Sequence, residues 1–372
     1  MELRPYNGAM RILVIRPGAL GDVLLTLPAL QALQAGFGEG AQGNGTPAVG
    51  VRPERGPEIE VMGNLAVLEW LPGRSVVSAV SSFDRADLAV MFQPETVPPE
   101  TLRRYLQPFD LVLSYVTPPE HVFAGNLAAL VHGQTVSFQA LREPGLRMHM
   151  SEYLQQPLRD MGLAMRREAP RLQLTAHDQE EGRRWWAEHE LRDVRTVAVH
   201  PGSGSPGKNW PAERFVDVVR RLRREWQAQI LLLSGPAEAA SVAAALRSLD
   251  ERDYVPAQSL PLPLLAAILS RCQGYLGNDS GVSHLAAALG VPSVVILGPT
   301  DAEVWRPLGP RVRILRGAAP CAPCSVQRRE ICARRTCLED VTVEAVLTSL
   351  QRMQETKRGN GDGQAVRDPF GR

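Results

Sequence analysis

The sequence is almost without lysine. Of its 41 lysine and arginine residues, only Lys208 and Lys357 are lysines. The two signs of charge nearly cancel, because 40 aspartates and glutamates leave a net charge of +1. A chain without a basic excess is not expected to bind nucleic acid as its main partner. The shortage of lysine also draws attention to Lys208, which stands in a segment rich in glycine and serine.

The chain also lacks long hydrophobic runs. No segment approaches the ~18 consecutive apolar residues that a membrane-spanning helix needs. At the amino terminus, Glu2 and Arg4 precede only a short apolar strand, which is not the pattern of a secretory signal peptide. The 372 residues are 44% hydrophobic, enough to build a globular protein of two domains. We therefore expect a cytoplasmic globular protein.

Two phosphate-binding fingerprints are missing as well. Residues 11–16 (RILVIR) predict a strand, residues 17–22 (PGALGD) a glycine-rich turn, and residues 23–33 an amphipathic helix. Together they resemble the first unit of a Rossmann-like domain. The turn contains neither the GxGxxG of dinucleotide-binding proteins nor the GK[ST] of a P-loop. A nicotinamide oxidoreductase is therefore disfavoured.

Strand-like and helix-like segments alternate along the chain, which favours parallel sheets covered by helices. In the first half the predicted strands lie near residues 47–51, 66–71, 87–92, 110–114 and 134–138. In the second half the predicted strands are residues 195–200, 229–235 and 293–297, and the predicted helices are residues 211–227, 237–249, 261–271 and about 341–354. The prediction is an α/β protein with two Rossmann-like domains, residues 1–172 and 173–355, followed by a disordered tail, residues 356–372.

The most informative segment is GYLGNDSGVSHLAAALGVPSVVILGPTD, residues 274–301. It predicts a strand, a sharp turn at Gly277 and Asn278, a helix capped by Asp279 or Ser280, and a buried strand. Backbone N–H groups at the start of such a helix can bind an anion, and Gly281 lets the anion approach closely. The same pattern also fits an ordinary strand–helix crossover, and spacing alone leaves both interpretations open.

Three motifs in this order resemble glycosyltransferase family 9: PGALGDVLLTLPAL (17–30), HPGSGSPGKNWP (200–211) and residues 277–301. The resemblance extends over roughly residues 10–352, and the best-known members are ADP-heptose:lipopolysaccharide heptosyltransferases. It implies a GT-B fold, in which two Rossmann-like domains face each other across a cleft. The N-terminal domain would bind the acceptor and the C-terminal domain the nucleotide-sugar donor. It also implies inverting transfer without a cofactor or catalytic metal, to a glycan or glycolipid acceptor, with peripheral contact at the inner face of the cell membrane.

Asp22 is the candidate catalytic base. It follows a strand at the edge where parallel sheets bind ligands, so its carboxylate can accept the proton of an acceptor hydroxyl. The alternative is that Asp22 only caps the following helix, and the resemblance favours the base. Gly18 and Gly21 belong to the same turn and are expected to shape it around acceptor or phosphate groups.

Lys208 and the Ser280–Gly281 turn are the predicted contacts of the donor diphosphate. A compact positive charge, hydroxyl groups and free backbone N–H groups all suit phosphate oxygens. Ser203 lies in the loop of Lys208 and offers a further hydroxyl. The alternative for Lys208 is a solvated loop lysine, which the glycine-rich setting and the family motif disfavour.

Three more residues complete the predicted donor site. Asp279, whose charge would repel phosphate, is expected to fix the turn or to accept a hydrogen bond from a sugar hydroxyl. His284 either points towards the ligand or is a structural histidine. Glu238 is predicted to hold a ribose hydroxyl, with a favourable first-turn glutamate of a helix as the alternative.

Four of the five cysteines form a cluster with the spacing C-x2-C-x7-C-x4-C: Cys321, Cys324, Cys332 and Cys337. Four thiolates can bind zinc, and in a cytosolic protein a metal is favoured over disulfides. The spacing differs from that of paired C-x2-C zinc motifs. We therefore interpret the cluster as reduced thiols without a metal or a catalytic role, with zinc as the alternative.

Two other functions would use the same phosphate-binding residues. One is another GT-B nucleotide-sugar enzyme such as an epimerase, and the other is a non-catalytic nucleotide-sugar binding protein, which would not need Asp22. The motifs define neither the base and sugar of the donor nor the acceptor.

Overall fold

A computed structural model describes residues 9–38, 56–118, 120–141, 145–166, 168–193, 196–235 and 240–359. The chain divides into two compact units, Met1–Glu168 (unit 1) and Ala169–Arg372 (unit 2). Each unit contains a parallel β-sheet whose strands are connected through helices. The predicted α/β class with two Rossmann-like units is therefore confirmed. The predicted strand at residues 47–51 and the candidate Glu238 lie outside the described residues.

The sheet of unit 1 has five parallel strands in the order β3-β2-β1-β4-β5. The strands are β1 (Arg11–Ile15), β2 (Glu58–Gly63), β3 (Ala79–Ser82), β4 (Leu111–Ser114) and β5 (Gln134–Ser137). The helices are α1 (Leu20–Gly36), α2 (Leu65–Leu68), α3 (Glu100–Leu106), α4 (Val122–Leu130), α5 (Met150–Tyr153) and α6 (Gln156–Asp160), with a 3-10 helix at Ala86–Phe92.

Two strands predicted for unit 1 are wrong. Residues 66–71 begin in α2, whose first turn is capped by the Asn64 side chain accepting the N–H of Ala66 at 3.1 Å. Residues 87–92 form the 3-10 helix, and Leu88 and Met91, three positions apart, are buried on one side of it. The strands that take their places, β2 and β3, were missed because charged or small residues interrupt their apolar pattern.

The sheet of unit 2 has six parallel strands in the order β11-β10-β9-β6-β7-β8. The strands are β6 (Thr196–His200), β7 (Gln229–Ser234), β8 (Val255–Gln258), β9 (Gly274–Asn278), β10 (Ser293–Ile296) and β11 (Val312–Leu315). The longer helices are α7 (Ala176–Glu188), α8 (Ala212–Trp226), α9 (Ala240–Leu246), α10 (Leu262–Ser270), α11 (Gly281–Ala288) and α15 (Val343–Gly359). Shorter helices are α12 (Ala302–Trp305), α13 (Val326–Glu330) and α14 (Thr336–Glu339), with 3-10 turns at Pro206–Lys208 and Glu251–Asp253.

The predicted elements of unit 2 agree closely with the structure, because their apolar patterns are long. Helix α8, for example, places Phe215, Val219 and Leu222 in the core against the sheet. Two edge strands were missed. One of them, β8, contains Pro256, which an edge strand tolerates because one side of its backbone has no partner strand.

Residues 274–301 form the predicted strand, helix and strand: β9, α11 and β10. Ser280 is the N-cap of α11, and its Oγ accepts the N–H of Ser283 at 3.3 Å. Gly290 follows the helix with φ 73°, a conformation that favours glycine. The turn was placed slightly too early, since Gly277 and Asn278 still belong to β9.

The last helix, α15, runs to Gly359, so residues 356–359 of the predicted disordered tail are helical. Residues 360–372 of that tail lie outside the described residues. Among the helices that the structure describes, none combines the length and hydrophobicity needed to cross a bilayer.

Candidate active site

In unit 1, Asp22 lies at the carboxyl end of the central strand β1, in the first turn of α1. It is the third residue of the helix, not its N-cap, which is Ala19. Its Oδ2 accepts the backbone N–H of Ala19 at 3.1 Å, so Asp22 does stabilise the helix start. The side chain remains 34% exposed and is therefore accessible from solvent.

Arg16, which sequence reasoning missed, holds the other carboxylate oxygen of Asp22. Its Nη2 lies 3.3 Å from Asp22 Oδ1, and its Nε donates to Thr26 Oγ1 at 3.1 Å. The Thr26 hydroxyl in turn donates to the carbonyl of Asp22 at 2.8 Å. Burial lowers the pKa of Arg16, which the neighbouring Asp22 carboxylate opposes. The carboxylate is thus fixed at both oxygens by a largely buried guanidinium and a backbone amide.

Gly18 is required for the close packing of this turn. A Cβ at Gly18 would stand 2.8 Å from Asp22 Cβ and 3.1 Å from its Oδ2. Any side chain at residue 18 would therefore displace the carboxylate. Gly21 is the second residue of α1, directly before Asp22.

In unit 2, Lys208 ends the 3-10 turn that follows β6. Its Nζ forms an ion pair with Asp279 Oδ2 at 2.8 Å; the lysine side chain is 25% exposed and the aspartate side chain 7%. The Thr300 hydroxyl donates to the same Asp279 oxygen at 2.6 Å. Asp279 therefore holds the lysine beside the start of α11, and Thr300 joins the turn after β10 to the same group.

The turn before α11 is built around Ser280 and Asn278. Ser280 Oγ lies 3.3 Å from His200 Nδ1 and accepts the N–H of Ser283. The buried Asn278 side chain accepts the N–H of Trp210 at 3.0 Å and donates to the carbonyl of Pro201 at 2.7 Å. It therefore ties the loop of Lys208 to the end of β9.

The N–H groups of the first helical residues, Gly281 and Val282, point out of the start of α11. Among the residues that the structure describes, neither N–H group has a protein acceptor, as expected at a helix N-terminus. Such groups, with the positive end of the helix dipole, suit an anion. The candidate His284 follows one turn later and is buried.

His200 adds no positive charge at neutral pH. It ends β6 and is 8% exposed. Burial lowers its pKa to about 4, so the imidazole is neutral at pH 7. The positive charge at this part of the sheet edge therefore comes from groups other than His200, among them Lys208 and the dipole of α11.

Ser203 is used inside its own loop. Its Oγ contacts Asn209 Oδ1 at 2.6 Å and the carbonyl of Ser205 at 2.8 Å, and it accepts the N–H of Ser205 at 3.3 Å. These bonds shape the loop that presents Lys208. Gly204, next to it, has open space where a Cβ would stand.

The four clustered cysteines line one small cavity of about 10 Å³, together with Gly207 and Pro299. All five cysteines of the chain are free thiols. Burial raises the pKa of Cys324 and of Cys337, so both are neutral at pH 7. In the described part of the chain, no three His, Cys, Asp or Glu side chains are arranged as metal ligands.

Three residues of this arrangement escaped sequence reasoning: Arg16, Asn278 and Thr300. Each contacts a candidate residue or adjoins one in sequence, and each lies at or just after the end of a strand. Arg16 ends the predicted strand of residues 11–16, Asn278 precedes Asp279, and Thr300 lies in the GPT that follows β10. Their position at the carboxyl edge of a parallel sheet is the signal that could have identified them.

The chemistry of the two units differs. Unit 2 offers a lysine, a helix N-terminus and hydroxyl groups, which suit a diphosphate. Unit 1 offers a partly exposed carboxylate of fixed orientation, which suits an acceptor of a proton.

Comparisons with known proteins identify the family of this chain. The model of the family "Glycosyltransferase family 9 (heptosyltransferase)" matches residues 116–333. Lipopolysaccharide heptosyltransferase 2 of Salmonella typhimurium is 28% identical over 125 residues, 32% of this chain and 36% of the relative. Lipopolysaccharide heptosyltransferase 1 of Pseudomonas aeruginosa is 30% identical over 118 residues, 32% of either chain. The chain thus spans about a third of the length of the curated relatives it matches.

Two solved structures show the fold over almost the whole chain. The ADP-heptose lipopolysaccharide heptosyltransferase II of E. coli covers 94% of this chain and 100% of its own, with a TM-score of 0.69 at 18% identity. A family 9 glycosyltransferase from Veillonella parvula DSM 2008 covers 95% and 100%, with a TM-score of 0.72 at 17% identity. These likenesses confirm the expected GT-B fold class. Since the family model covers more than half of the sequence, the chain belongs to glycosyltransferase family 9.

Proposed function

We propose that this chain is an inverting glycosyltransferase that moves a heptose or a related sugar from ADP-heptose, or a similar nucleotide sugar, to a lipopolysaccharide-core-like glycan. Unit 2 would bind the donor and unit 1 the acceptor, with the domains taken as residues 173–355 and 1–172. The observation that carries the proposal is the ion pair of Lys208 with Asp279 beside the open N-terminus of α11.

Donor binding would use the residues of this arrangement in distinct roles. The diphosphate would lie between Lys208 and the N–H groups of Gly281 and Val282, which neutralise charge on the leaving group. In the structure, Lys208 already forms an ion pair with Asp279. A diphosphate must therefore share the lysine with the aspartate, or draw it away from the aspartate. Ser203 and Ser280 support the two loops, and His284 lies in the first turn of the same helix.

Transfer would need Asp22 as the general base. Its carboxylate takes the proton of the acceptor hydroxyl, while the hydroxyl oxygen attacks the anomeric carbon and the nucleoside diphosphate leaves from the opposite face. One displacement inverts the anomeric configuration. Arg16 would keep the carboxylate oriented, and Gly18 leaves the room that this orientation needs.

An acceptor of the lipopolysaccharide class is held in a bilayer by its lipid. The transferase would therefore work as a peripheral protein at the inner face of the cell membrane. The four cysteines have no part in this mechanism and, in this proposal, need no metal.

The test is an assay with purified full-length protein, ADP-heptose and a lipopolysaccharide that lacks core heptose. We expect release of ADP, an added heptose on the acceptor by mass spectrometry, and an inverted anomeric configuration by NMR. UDP- and GDP-sugars serve as control donors. Conversion of the donor sugar without any acceptor would indicate an epimerase, and donor binding without any turnover would indicate a binding protein; either result would contradict the proposal.

A further inference from the structure

A strongly basic loop follows the last strand of unit 2. Residues 316–337, called here the arginine loop, contain five arginines and one glutamate, although the whole chain has a net charge of +1. The loop leaves the carboxyl end of β11, an edge strand. Cys324 donates its N–H to the carbonyl of Pro299 at 2.8 Å, and the Arg335 guanidinium donates to the carbonyl of Pro206 at 3.2 Å. The arginine loop is thus fixed beside the two turns that hold Lys208 and Thr300.

Among the side chains described in the arginine loop, the large aliphatic Ile331 is 83% exposed. A single exposed aliphatic residue is common on soluble proteins. Ile331 differs because arginines flank it on both sides, at 328 and 329 and again at 334 and 335. Arg328 and Arg334 are exposed, and among the described residues neither forms an ion pair. Within the described residues, two exposed arginines without an ion pair therefore flank an apolar side chain in sequence.

We propose that the arginine loop docks the protein on an anionic phospholipid surface, with Ile331 among the headgroups and Arg328 and Arg334 on lipid phosphates. Each basic residue close to such a surface strengthens binding roughly fivefold, and an inserted aliphatic side chain adds to this. The inference rests on the peripheral membrane contact of the proposed function, and it identifies the part of unit 2 that makes this contact. The position of the loop beside the donor turns would bring the donor site of unit 2 close to the lipid surface.

Phospholipid is favoured over nucleic acid because of what the loop contains. Residues 316–337 include no Phe, Tyr or Trp, and proteins that bind single-stranded nucleic acid stack bases on aromatic side chains. At a bilayer, by contrast, the aliphatic side chain can enter the headgroup region while the flanking arginines contact anionic lipids.

The experiment is sedimentation of the full-length protein with vesicles of phosphatidylcholine alone and of phosphatidylcholine mixed with phosphatidylglycerol. We expect binding to the anionic vesicles only, weakened by high salt, because salt screens exposed charges. The double variant Arg328→Gln/Arg334→Gln should bind about 25-fold more weakly. Ile331→Ser should bind several-fold more weakly and melt at an unchanged temperature.

Matched variants elsewhere serve as controls. Val97→Ser removes an 86% exposed side chain whose nearest charged residues in sequence are Glu95 and Glu100. Arg104→Gln/Arg184→Gln removes two positive charges from exposed, ion-paired positions on α3 and α7. Both controls should bind vesicles like the parent protein.

Several results would overturn the proposal. Equal binding to both kinds of vesicle, an unchanged Ile331→Ser, or controls as weak as the loop variants would each do so. If the arginine variant lost binding to single-stranded RNA while phospholipid binding stayed unchanged, the loop would be a nucleic-acid surface. The vesicles contain neither donor nor acceptor, so the two proposals are tested separately. A failure of the transferase proposal would appear only in the transfer assay, and a failure of the docking proposal only in the vesicle sedimentation.

Discussion

At the residue scale, the role of Asp22 can be separated from its structural contribution. Asp22→Asn keeps an oxygen that can accept the N–H of Ala19 but cannot take a proton. General-base catalysis is typically worth 10²–10⁴-fold, so kcat should fall by about that factor. Donor affinity should stay close to that of the parent. The melting temperature should fall, but less than in a variant that also loses the bond to Ala19, because asparagine leaves the buried Arg16 without a counter-ion.

Asp22→Ala is the companion variant. It loses the bond to Ala19, about 1 kcal/mol for a helix-terminal hydrogen bond, and leaves the buried Arg16 without its counter-ion. It should therefore be inactive and also less stable. Turnover of Asp22→Asn close to that of the parent would remove Asp22 as the base.

Lys208 forms an ion pair with Asp279 and is proposed to bind the donor diphosphate. Its variants should therefore show the loss of both interactions. Lys208→Ala should weaken binding of a nucleoside diphosphate by roughly 1.5–3 kcal/mol, the usual range for hydrogen bonds to charged groups. Binding of the nucleoside without phosphates should be unchanged. The variant should also unfold more easily, because the buried Asp279 loses its counter-ion. Calorimetry and urea unfolding measure the two effects.

A double variant separates the two effects. Lys208→Ala/Asp279→Asn removes the unpaired carboxylate charge, so it should regain stability without regaining affinity for the diphosphate. Equal losses for nucleoside and nucleoside diphosphate in Lys208→Ala would show that the lysine does not bind phosphate.

His200 makes stability depend on pH in a defined window. Burial lowers its pKa to about 4, below the value of about 6.5 in the unfolded chain. The unfolded state therefore binds more protons between these values, and stability falls as the pH drops from about 6.5 towards 4. The contribution is at most roughly 3 kcal/mol. His200→Gln, which does not titrate, should lose less stability over this window in urea unfolding; an identical pH profile would contradict the assignment.

Sequence reasoning found the candidates but not their partners. Lys208 and Asp279 were both predicted, yet not as an ion pair, because 71 positions separate them. They meet because β6 and β9 are neighbours in parallel register, with His200 opposite Gly277. Strand order is a property of the whole sheet, which local patterns do not encode.

At the element scale, two glycines should respond oppositely to alanine. In β9, a Cβ at Gly277 would lie 2.3 Å from the hydroxyl of Tyr275, which is fully buried and 2.9 Å from Ser283 Oγ. Gly277→Ala must displace that ring, at a cost of about 1–3 kcal/mol. In α4, Gly125 has open space, so Gly125→Ala should stabilise the protein by roughly 0.5–1 kcal/mol. Unfolding free energies measure both, and a Gly277→Ala variant as stable as the parent would contradict the packing argument.

Elements were predictable where their pattern was long and their surroundings simple. The strand–helix–strand of residues 274–301 has a cap, an apolar stripe and a terminating glycine, and each signal agrees with the others. Short strands carry less information. In β2, Glu60 breaks the apolar run, and its carboxylate is bonded to the Tyr105 hydroxyl, a partner 45 positions away.

At the scale of the whole molecule, the proposed function assigns donor and acceptor to different units. Hydrogen exchange of the full-length protein with and without ADP tests this assignment. ADP should slow exchange in three segments of unit 2: residues 201–209, 278–284 and 298–301. At 100 times the dissociation constant, ADP stabilises the bound state by about 2.7 kcal/mol, so amides that are exposed only in ligand-free molecules can slow by up to about 100-fold. Exchange in residues 16–22 of unit 1 should not change.

Lys208→Ala under the same conditions is the control. Its affinity is expected to be lower, so the same ADP concentration should protect the three segments much less. Gly204→Ala, at a position with open space in the same loop, should retain the protection. Protection confined to residues 16–22 would place the donor in unit 1 and reverse the assignment. Protection unaffected by Lys208→Ala would instead show that Lys208 does not bind the diphosphate.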